Sequence, residues 1–312
     1  MMTESTVLLK IPTALRLPSN HDGSSIFDNC DLLWEQESLM VTHQQSSEDN
    51  NHLPALQNNA WLRDCLRRSP VRKVYLDPTM EQSVIKAWAD LCWSTGKEIY
   101  LRVPQLADLP QTQRPGDWRL KRLMDWLMAA LLLVVFSPLM GLLAIWVRLD
   151  SPGSVLFRQW RVGAEGELFR IYKFRSMQVD AEARHQEVMG NQTGLHKLEH
   201  DPRITQAGRW LRKLSLDELP QLWNVLRGEM SLVGPRPWAL YDAVRIPNEL
   251  QGRLNALPGM TGPWQVSARS NELDLYAVTC RDLAYLQQWH LWRDISVLLV
   301  TVPKVLFGSG AC

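Results

Sequence analysis

Two adjacent carboxylates stand out among the residues that could do chemistry. Asp217 and Glu218 lie in the segment Ser215-Leu-Asp-Glu-Leu-Pro220. Such a pair can supply one group that attacks or coordinates and another that holds a divalent cation against phosphate oxygens. A structural interpretation competes with this one, because Ser215-x-x-Glu218 before an apolar run has the spacing of a helix capping box. Pro220 favours a helix that begins near Asp217 instead, where the helix dipole favours an ionised carboxylate and a bound phosphate.

Basic side chains surround this pair in the sequence, with little acid nearby. They are Arg170, Lys173, Arg175, Arg203, Arg209, Arg212, Lys213, Arg227 and Arg236. Guanidinium groups match phosphate oxygens in a bidentate way, so this set is typical of a diphosphate site. A solvated basic face, or one that rests on anionic lipid headgroups, is the alternative.

Three further segments contain candidate site residues. Gly234-Pro-Arg-Pro237 holds Arg236 between two prolines, which would present one cation from a rigid turn. Pro258-Gly-Met-Thr-Gly-Pro263 is also rich in turn residues and ends near Arg269. A plain tight turn is the alternative for both. His196-Lys-Leu-Glu-His200 matches the H-x-x-E-H pattern of zinc proteases, but it lies in a polar stretch without a third ligand, so we expect no zinc there.

An apolar stretch from Trp126 to Val147 contains no charged residue and could hold this chemistry at a membrane. About 22 residues suffice to span a bilayer core. Ser137-Pro138 falls in the middle, where proline removes a backbone donor and predicts a bend into two halves too short to cross alone. Basic residues flank both ends, which favours a re-entrant helix over about 122–148 with both ends in the cytoplasm. A kinked spanning helix and a buried core helix are the alternatives.

A second apolar surface lies between Trp289 and Leu306, interrupted by Arg293, Asp294 and Lys304. Tryptophan beside such a run is typical of a membrane interface. An amphipathic core helix is the alternative.

The composition excludes some classes of function. A net charge of +1 over 312 residues argues against a generally basic nucleic-acid binder. The five scattered cysteines show neither metal-ligand spacing nor a disulfide framework, which favours a reducing compartment. Residues 1–20 lack the charged-then-apolar layout of a signal peptide, so we expect the chain to face the cytoplasm.

The patterns predict an α+β fold in which a small α/β module precedes a mainly helical, membrane-associated domain. Residues 1–70 are mixed, and residues 71–104 have the spacing of a βαβ unit. The prolines of residues 105–118 predict a semi-rigid linker. The remaining domain, 119–312, includes a small β-hairpin that turns at Gly163-Ala-Glu-Gly166.

In this order, the motifs resemble those of the bacterial sugar transferases, also called monotopic phosphoglycosyl transferases or polyprenyl-phosphate hexose-1-phosphate transferases. The resemblance runs from about Arg119 to Cys312, and it is specific because many motifs follow one another in a single register. They are Lys121-Arg-Leu-Met-Asp125, Ser137-Pro138, Tyr172-Lys-Phe-Arg-Ser-Met177, Asp201-Pro-Arg-Ile-Thr205, Gly208-Arg-Trp-Leu-Arg212, Ser215-Leu-Asp-Glu-Leu-Pro-Gln-Leu-Trp-Asn224, Met230-Ser-Leu-Val-Gly-Pro-Arg-Pro237 and Pro258-Gly-Met-Thr-Gly262.

The resemblance implies a catalytic domain that uses a UDP-hexose and polyprenyl (undecaprenyl) phosphate. Asp217 would attack the β-phosphate, giving a covalent phosphosugar-enzyme and UMP, and the lipid phosphate would then accept the sugar phosphate. Glu218 would help to bind Mg²⁺ on the diphosphate. The substrate- and phosphate-binding cations would be Lys173, Arg175, Arg212, Arg236 and Arg269. Ser137 and Pro138 would form the break of a monotopic helix on the cytoplasmic face of the membrane, and the product would initiate an exopolysaccharide or related glycan.

Three positions depart from the family's pattern. Glu229 stands where Asp is usual, Pro263 where an aliphatic residue is common, and Ala268 where Gly is common. The alternative function is a catalytically silent membrane-surface scaffold that binds anionic lipid. The identity of the sugar, the downstream polymer and the formation of a homo-oligomer are left open by the sequence.

Overall fold

A computed structural model of the chain describes residues 25–27, 30–43, 54–106, 108–181, 184, 201–267 and 275–306. The chain divides into two units, the first ending at Arg102 and the second beginning at Val103.

The first unit contains a four-stranded sheet and two helices. Its elements are β1 (Cys30–Glu35), β2 (Ser38–His43), α1 (Asn59–Arg68), β3 (Lys73–Leu76), α2 (Gln82–Thr95) and β4 (Glu98–Leu101). The strand order is β1-β2-β3-β4, with the first pair antiparallel and the other two pairs parallel. The βαβ unit expected from the sequence is therefore present as β3, α2 and β4. Gly96, with φ of +71°, ends α2 in the left-handed conformation that the sequence predicts for this glycine.

The second unit is mainly helical. It consists of α3 (Pro110–Gln113), α4 (Pro115–Asp150), β5 (Leu156–Val162), β6 (Leu168–Phe174), α5 (Gln206–Lys213), α6 (Gln221–Leu226), β7 (Ser231–Val233), α7 (Leu240–Ala243), β8 (Gly259–Thr261), α8 (Pro263–Ser267), α9 (Leu275–Gln287) and α10 (Leu291–Leu306). β5 and β6 form an antiparallel hairpin, and β7 and β8 form a parallel pair. The hairpin lies where the sequence predicts it, and its turn contains Glu165 and Gly166 at φ of +54° and +81°.

Two apolar clusters form the core of this unit. The larger one joins α6, β6, β7, α9 and α10 through buried residues such as Leu222, Ile171 and Tyr285. The smaller one joins α4, β6 and α5 through Leu143, Val147, Phe174 and Leu211. Lys173 lies on β6 next to Phe174, so its position depends on the packing of this strand against α5 and α6.

The helix α4 is the longest element and is 36 residues long. Its N-terminal part packs on the larger cluster through Ala129, and its C-terminal part packs on the smaller cluster through Leu143 and Val147. Leu219 packs against both clusters. Both ends of α4 are thus attached to the same unit.

The middle of α4 is apolar and exposed. Of the described helices, α4 alone is long and apolar enough to cross a membrane, and only 11% of its most apolar stretch is buried. The helix is not interrupted at Ser137-Pro138, as the predicted helix-break-helix would require, because Pro138 lies inside one continuous element. Ser137 Oγ donates a hydrogen bond to the carbonyl of Val134 at 2.8 Å. A proline inside a helix removes a single backbone bond, which bends a helix without ending it.

Two further expectations change in the structure. The residues expected to form a linker are helical from Pro110 to Gln113 and again from Pro115 onward, since proline is well accepted in the first turn of a helix. The C-terminal helix α10 has features of both alternatives, the amphipathic core helix and the exposed apolar surface. Trp289, just before α10, and Val297 are buried in the core, whereas Trp292 and Leu299 on α10 are 75% and 70% exposed.

Candidate active site

The two carboxylates lie on a single turn of 3-10 helix, Leu216–Glu218, between α5 and α6. Ser215 precedes this turn in the left-handed conformation, with φ of +53°, and its side chain makes no capping hydrogen bond. The capping box, the alternative interpretation of Ser215 and Glu218, is therefore absent. The helix α6 begins at Gln221, later than the start near Asp217 that Pro220 suggested. Non-glycine residues rarely adopt this backbone conformation, so the surrounding packing must hold Ser215 in it.

Lys173 and Glu218 form the closest contact of the site. Lys173 Nζ lies 2.6 Å from Glu218 Oε1, and both side chains are partly exposed, at 17% and 26%. Burial raises the pKa of Glu218, but the charges of Lys173 and Arg236 outweigh burial, so the pKa lies below its usual range. Glu218 is therefore held as a carboxylate that is open to solvent on one side.

Asp217 is more deeply buried than its neighbour, with 8% of its surface exposed. Burial and the nearby charge of Glu218 raise the pKa of Asp217, while Lys173 and Arg212 partly counter the rise. The two neighbouring carboxylates thus have pKa values shifted in opposite directions. Divergent environments of this kind are typical of carboxylate pairs with separate chemical roles.

Arg212 approaches Asp217 from α5. Its Nε donates to Ser176 Oγ at 3.0 Å, just after the end of β6. The helix can pack this closely because it carries Gly208 at the contact, where a Cβ would lie 2.0 Å from the carbonyl oxygen of Ser176. The close packing of α5 on the segment after β6 fixes where Arg212 meets the carboxylates.

Arg236 completes the cations beside the pair and follows β7. The backbone around it is tied down on both sides, since Gly259 N donates to the Pro235 carbonyl at 2.8 Å and Arg253 donates to the carbonyl of Arg236. The charge of Arg236 helps to hold the pKa of Glu218 low. The structure thus brings together Lys173, Arg212 and Arg236 around Asp217 and Glu218, from segments far apart in the sequence.

Arg161 on β5 belongs to the same surroundings, although the sequence did not single it out. Its Nη1 donates to the carbonyl of Pro237 at 3.1 Å, which attaches the hairpin to the segment that carries Arg236. Burial lowers the pKa of Arg161; the neighbouring Tyr241 opposes this shift and Arg236 adds to it. The sequence alone does not distinguish Arg161 from an ordinary exposed arginine, because the strand contains another basic residue.

Asn224 is a second residue that the sequence reasoning missed. It has no exposed surface. Its Oδ1 accepts from the amide of Tyr172 at 3.1 Å, and its Nδ2 donates to the carbonyl of Arg170 at 2.8 Å and to Glu229 Oε2 at 2.6 Å. Asn224 therefore joins α6 to β6, and with them the carboxylates to Lys173. An asparagine inside the apolar run Leu222–Leu226 was the available signal, because this residue has a low helix propensity.

One predicted site residue, Arg175, is not brought to the carboxylates. Arg175 Nη2 donates to the carbonyl of Ser151 at 2.7 Å, and its Nη1 donates to that of Pro152. This guanidinium holds the end of α4, and the geometry gives no support to its predicted contact with phosphate. Arg269 lies outside the described residues, as does the His196–His200 segment.

The adjacent carboxylates of the site could hold a magnesium ion. No three His, Cys, Asp or Glu side chains converge as a metal cage within the described part of the chain. Mg²⁺ is usually bound by one or two carboxylates together with substrate phosphates and water, and does not require such a cage. Asp217 and Glu218 lie next to each other, and the charges of Lys173, Arg212 and Arg236 act on them, so this donor set fits Mg²⁺ that arrives with a diphosphate.

Comparison with known proteins gives one family. The family described as bacterial sugar transferase matches residues 116–308. The match includes all of α4 except its first residue, the hairpin, all of the site residues described above and α10.

Among similar characterised proteins, three differ in how much of their length is matched. A galactosyl transferase, CpsE, of Streptococcus agalactiae serotype III is 45% identical over 178 residues, which cover 55% of this chain and 39% of the relative. An undecaprenyl-phosphate galactose phosphotransferase of Salmonella typhimurium is 42% identical over 200 residues, covering 62% of this chain and 41% of the relative. The UDP-glucose:undecaprenyl-phosphate glucose-1-phosphate transferase of Caulobacter vibrioides is 44% identical over 216 residues, covering 64% and 77%. The chain thus spans about two-fifths of the length of the first two relatives.

Proposed function

The chain belongs to the bacterial sugar transferase family, and from this membership we propose that it transfers a hexose-1-phosphate from a UDP-sugar to polyprenyl phosphate. Relatives named for such transfers to undecaprenyl phosphate support the substrate classes. A relative in Rhizobium meliloti named exopolysaccharide production protein ExoY, 38% identical over 210 residues, supports a role at the start of glycan synthesis.

The observation that carries the proposal is the pair Asp217 and Glu218 beneath three cations. In the first step, an oxygen of Asp217 forms a bond to the β-phosphorus of the UDP-sugar. The bond between this phosphorus and the bridging oxygen breaks, and UMP leaves with that oxygen. In the second step, a phosphate oxygen of the polyprenyl phosphate attacks the same phosphorus. The carboxylate of Asp217 is released, and the sugar is left on a polyprenyl diphosphate.

The cations bind and orient the diphosphate in this scheme. The charges of Lys173 and Arg212 act on Asp217, and in this scheme they oppose the negative charge of the phosphate under attack. Arg236 acts from the side of Glu218. Glu218 would hold Mg²⁺, which when bound neutralises charge on the diphosphate and on the departing UMP.

The membrane location follows from α4 in this proposal. We place α4 as a re-entrant element on the cytoplasmic face, because its exposed apolar middle needs a lipid environment while both of its ends pack on one unit. A helix whose ends are attached to the same unit cannot deliver them to opposite sides of a bilayer. The polar donor and the lipid acceptor would then meet at the surface where Asp217 lies.

Single cysteines at the two ends of α4 would test this topology. In a background without the native cysteines, we expect Gly116→Cys and Ser154→Cys to react with an impermeant maleimide in inverted membrane vesicles and to be protected in intact spheroplasts. Gly116 precedes the apolar stretch and Ser154 follows it, and Ser154 is exposed. If one cysteine is labelled only in inverted vesicles and the other only in spheroplasts, α4 spans the bilayer. The cysteine-free parent is the control for background labelling.

A panel of nucleotide sugars tests the activity. Purified protein is incubated with each UDP-hexose, undecaprenyl phosphate and Mg²⁺, and UMP release is measured. We expect release with one donor or a few. No release from any donor, with intact membrane binding, would favour the alternative of a scaffold that binds anionic lipid through the same basic residues.

A further inference from the structure

A cluster of buried charges lies away from the carboxylate pair, in the N-terminal part of α4. We call the segment of α4 that contains Lys121 and Asp125 the base of the helix. Lys121, Asp125 and Asp294 are only 3–4% exposed. Lys121 Nζ lies 2.7 Å from Asp294 Oδ2 and 3.6 Å from Asp125 Oδ2. The indole of Trp289 donates to Asp294 at 3.2 Å, and the hydroxyl of Tyr285 donates to its other oxygen. Charges buried to this degree are costly unless each is paired, and here each one is.

The same cluster binds the backbone of β7. Asp125 accepts from Ser231 Oγ at 2.7 Å and from the amide of Leu232 at 3.2 Å. Lys121 Nζ donates to the carbonyl of Val233 at 3.0 Å, and Arg122 donates to that of Met230 at 2.9 Å. Lys121 and Asp125 therefore contact all three residues of this short strand, and Arg122 contacts the residue before it.

The strand β7 leads directly into Arg236. Gly234 N donates to the carbonyl of Thr261 at 2.9 Å, and a Cβ on Gly259 would lie 2.0 Å from the amide nitrogen of Gly234. The backbone of the turn that carries Arg236 is packed tightly against β8, so this turn and β7 cannot move independently. A shift of β7 would thus move Arg236.

We propose that the base of α4 is a positioning element for the donor site, in which Asp125 and Lys121 act through β7 on Arg236. Neither residue contacts the carboxylate pair, so neither is catalytic. The helix α4 would then have a second role besides attaching the protein to lipid. The packing of its base against β7 would determine the position of Arg236, one of the phosphate-binding cations. This inference rests on the proposed binding of the donor diphosphate by Arg236.

The first test uses Ser231→Ala, which removes the bond to Asp125 with little change in volume and also removes the contacts of Ser231 Oγ with the carbonyl and amide of Val233, at 2.9 and 3.3 Å. We expect the KM for the UDP-sugar to rise about tenfold, the equivalent of one buried hydrogen bond, and kcat to change much less. Asp125→Asn replaces one acceptor oxygen with a donor and removes the charge that Lys121 and Arg122 face, so it weakens the same contact from the α4 side and should act in the same direction. Ser154→Ala is the matched control, because Ser154 is exposed and bonds only locally, to the carbonyl of Leu156 at 2.8 Å.

A double-mutant cycle separates positioning from a general loss of structure. If Ser231 acts through Arg236, Ser231→Ala should add little to the KM of an Arg236→Gln variant. A further rise of about tenfold in that background would show independent effects and would overturn the proposal.

Amide hydrogen exchange in lipid nanodiscs provides a readout that does not depend on turnover. We expect Ser231→Ala and Asp125→Asn to speed exchange in the segment 231–238 and to leave the hairpin β5–β6 unchanged. Unchanged exchange in 231–238 would contradict the coupling even in an active enzyme. A wild-type protein that releases no UMP from any donor, yet shows the faster exchange in the variants, would contradict the proposed function alone.

Discussion

Asp217→Asn is expected to abolish UMP release, lowering the rate by about 10³-fold or more, while the protein still binds membranes. The carboxylate oxygen is the proposed nucleophile, and an amide of the same shape cannot replace it. UMP release from a single turnover and the mass of a phosphosugar adduct on the intact protein are the measurements. Asp180→Asn is the control, because Asp180 is exposed. UMP release at the wild-type rate from the Asp217→Asn variant would remove Asp217 from the mechanism.

The same substitution is expected to stabilise the fold. Burial raises the pKa of Asp217 above its usual value, so the charged form is less favourable in the folded protein than in the unfolded chain. This cost is present at every pH above both pKa values and disappears as the pH falls through the folded pKa. Asp217→Asn should therefore raise the free energy of unfolding by about 1 kcal/mol at pH 7, with a smaller gain in acid. A lower Tm at neutral pH would contradict this account of the site.

Glu218→Gln is expected to lower kcat/KM by about 100-fold and to raise the Mg²⁺ concentration needed for half-maximal rate. The variant removes the negative charge that Lys173 contacts at 2.6 Å and that we assign to magnesium. Glu249→Gln makes the same change at an exposed position and should alter neither quantity. An unchanged Mg²⁺ dependence in Glu218→Gln would show that Glu218 does not hold the ion.

The pH profile of Glu218→Gln is a second, independent measurement. The charge of Glu218 raises the pKa of Asp217, so its removal lowers that pKa. Because the nucleophile must be ionised, activity is lost as the pH falls through the pKa of Asp217. The acid limb of kcat/KM should therefore move to lower pH in the variant, and a shift to higher pH would contradict the proposed roles.

Several features of the fold were predictable because they depend on neighbouring residues. The hairpin follows from two β-type runs around a glycine-containing turn, and the end of α2 follows from Gly96. The apolar stretch of α4 is a matter of composition alone. Local patterns failed at Ser215, where the capping-box spacing is present but the backbone is left-handed. A capping box requires an extended residue at its start, and the packing around Ser215 imposes another conformation.

By itself, the sequence determined the family and the order of the motifs, and it predicted the two carboxylates as the site, since these depend on residue types at fixed spacing. Only the tertiary structure decided which charges meet. Lys173 reaches Glu218 across 45 positions, and Ser231 reaches Asp125 across 106. Arg175, two residues after Lys173, instead holds the end of α4. Contacts over such separations depend on how helices and strands pack, and residue type alone does not encode which of several equivalent cations the packing brings to the site.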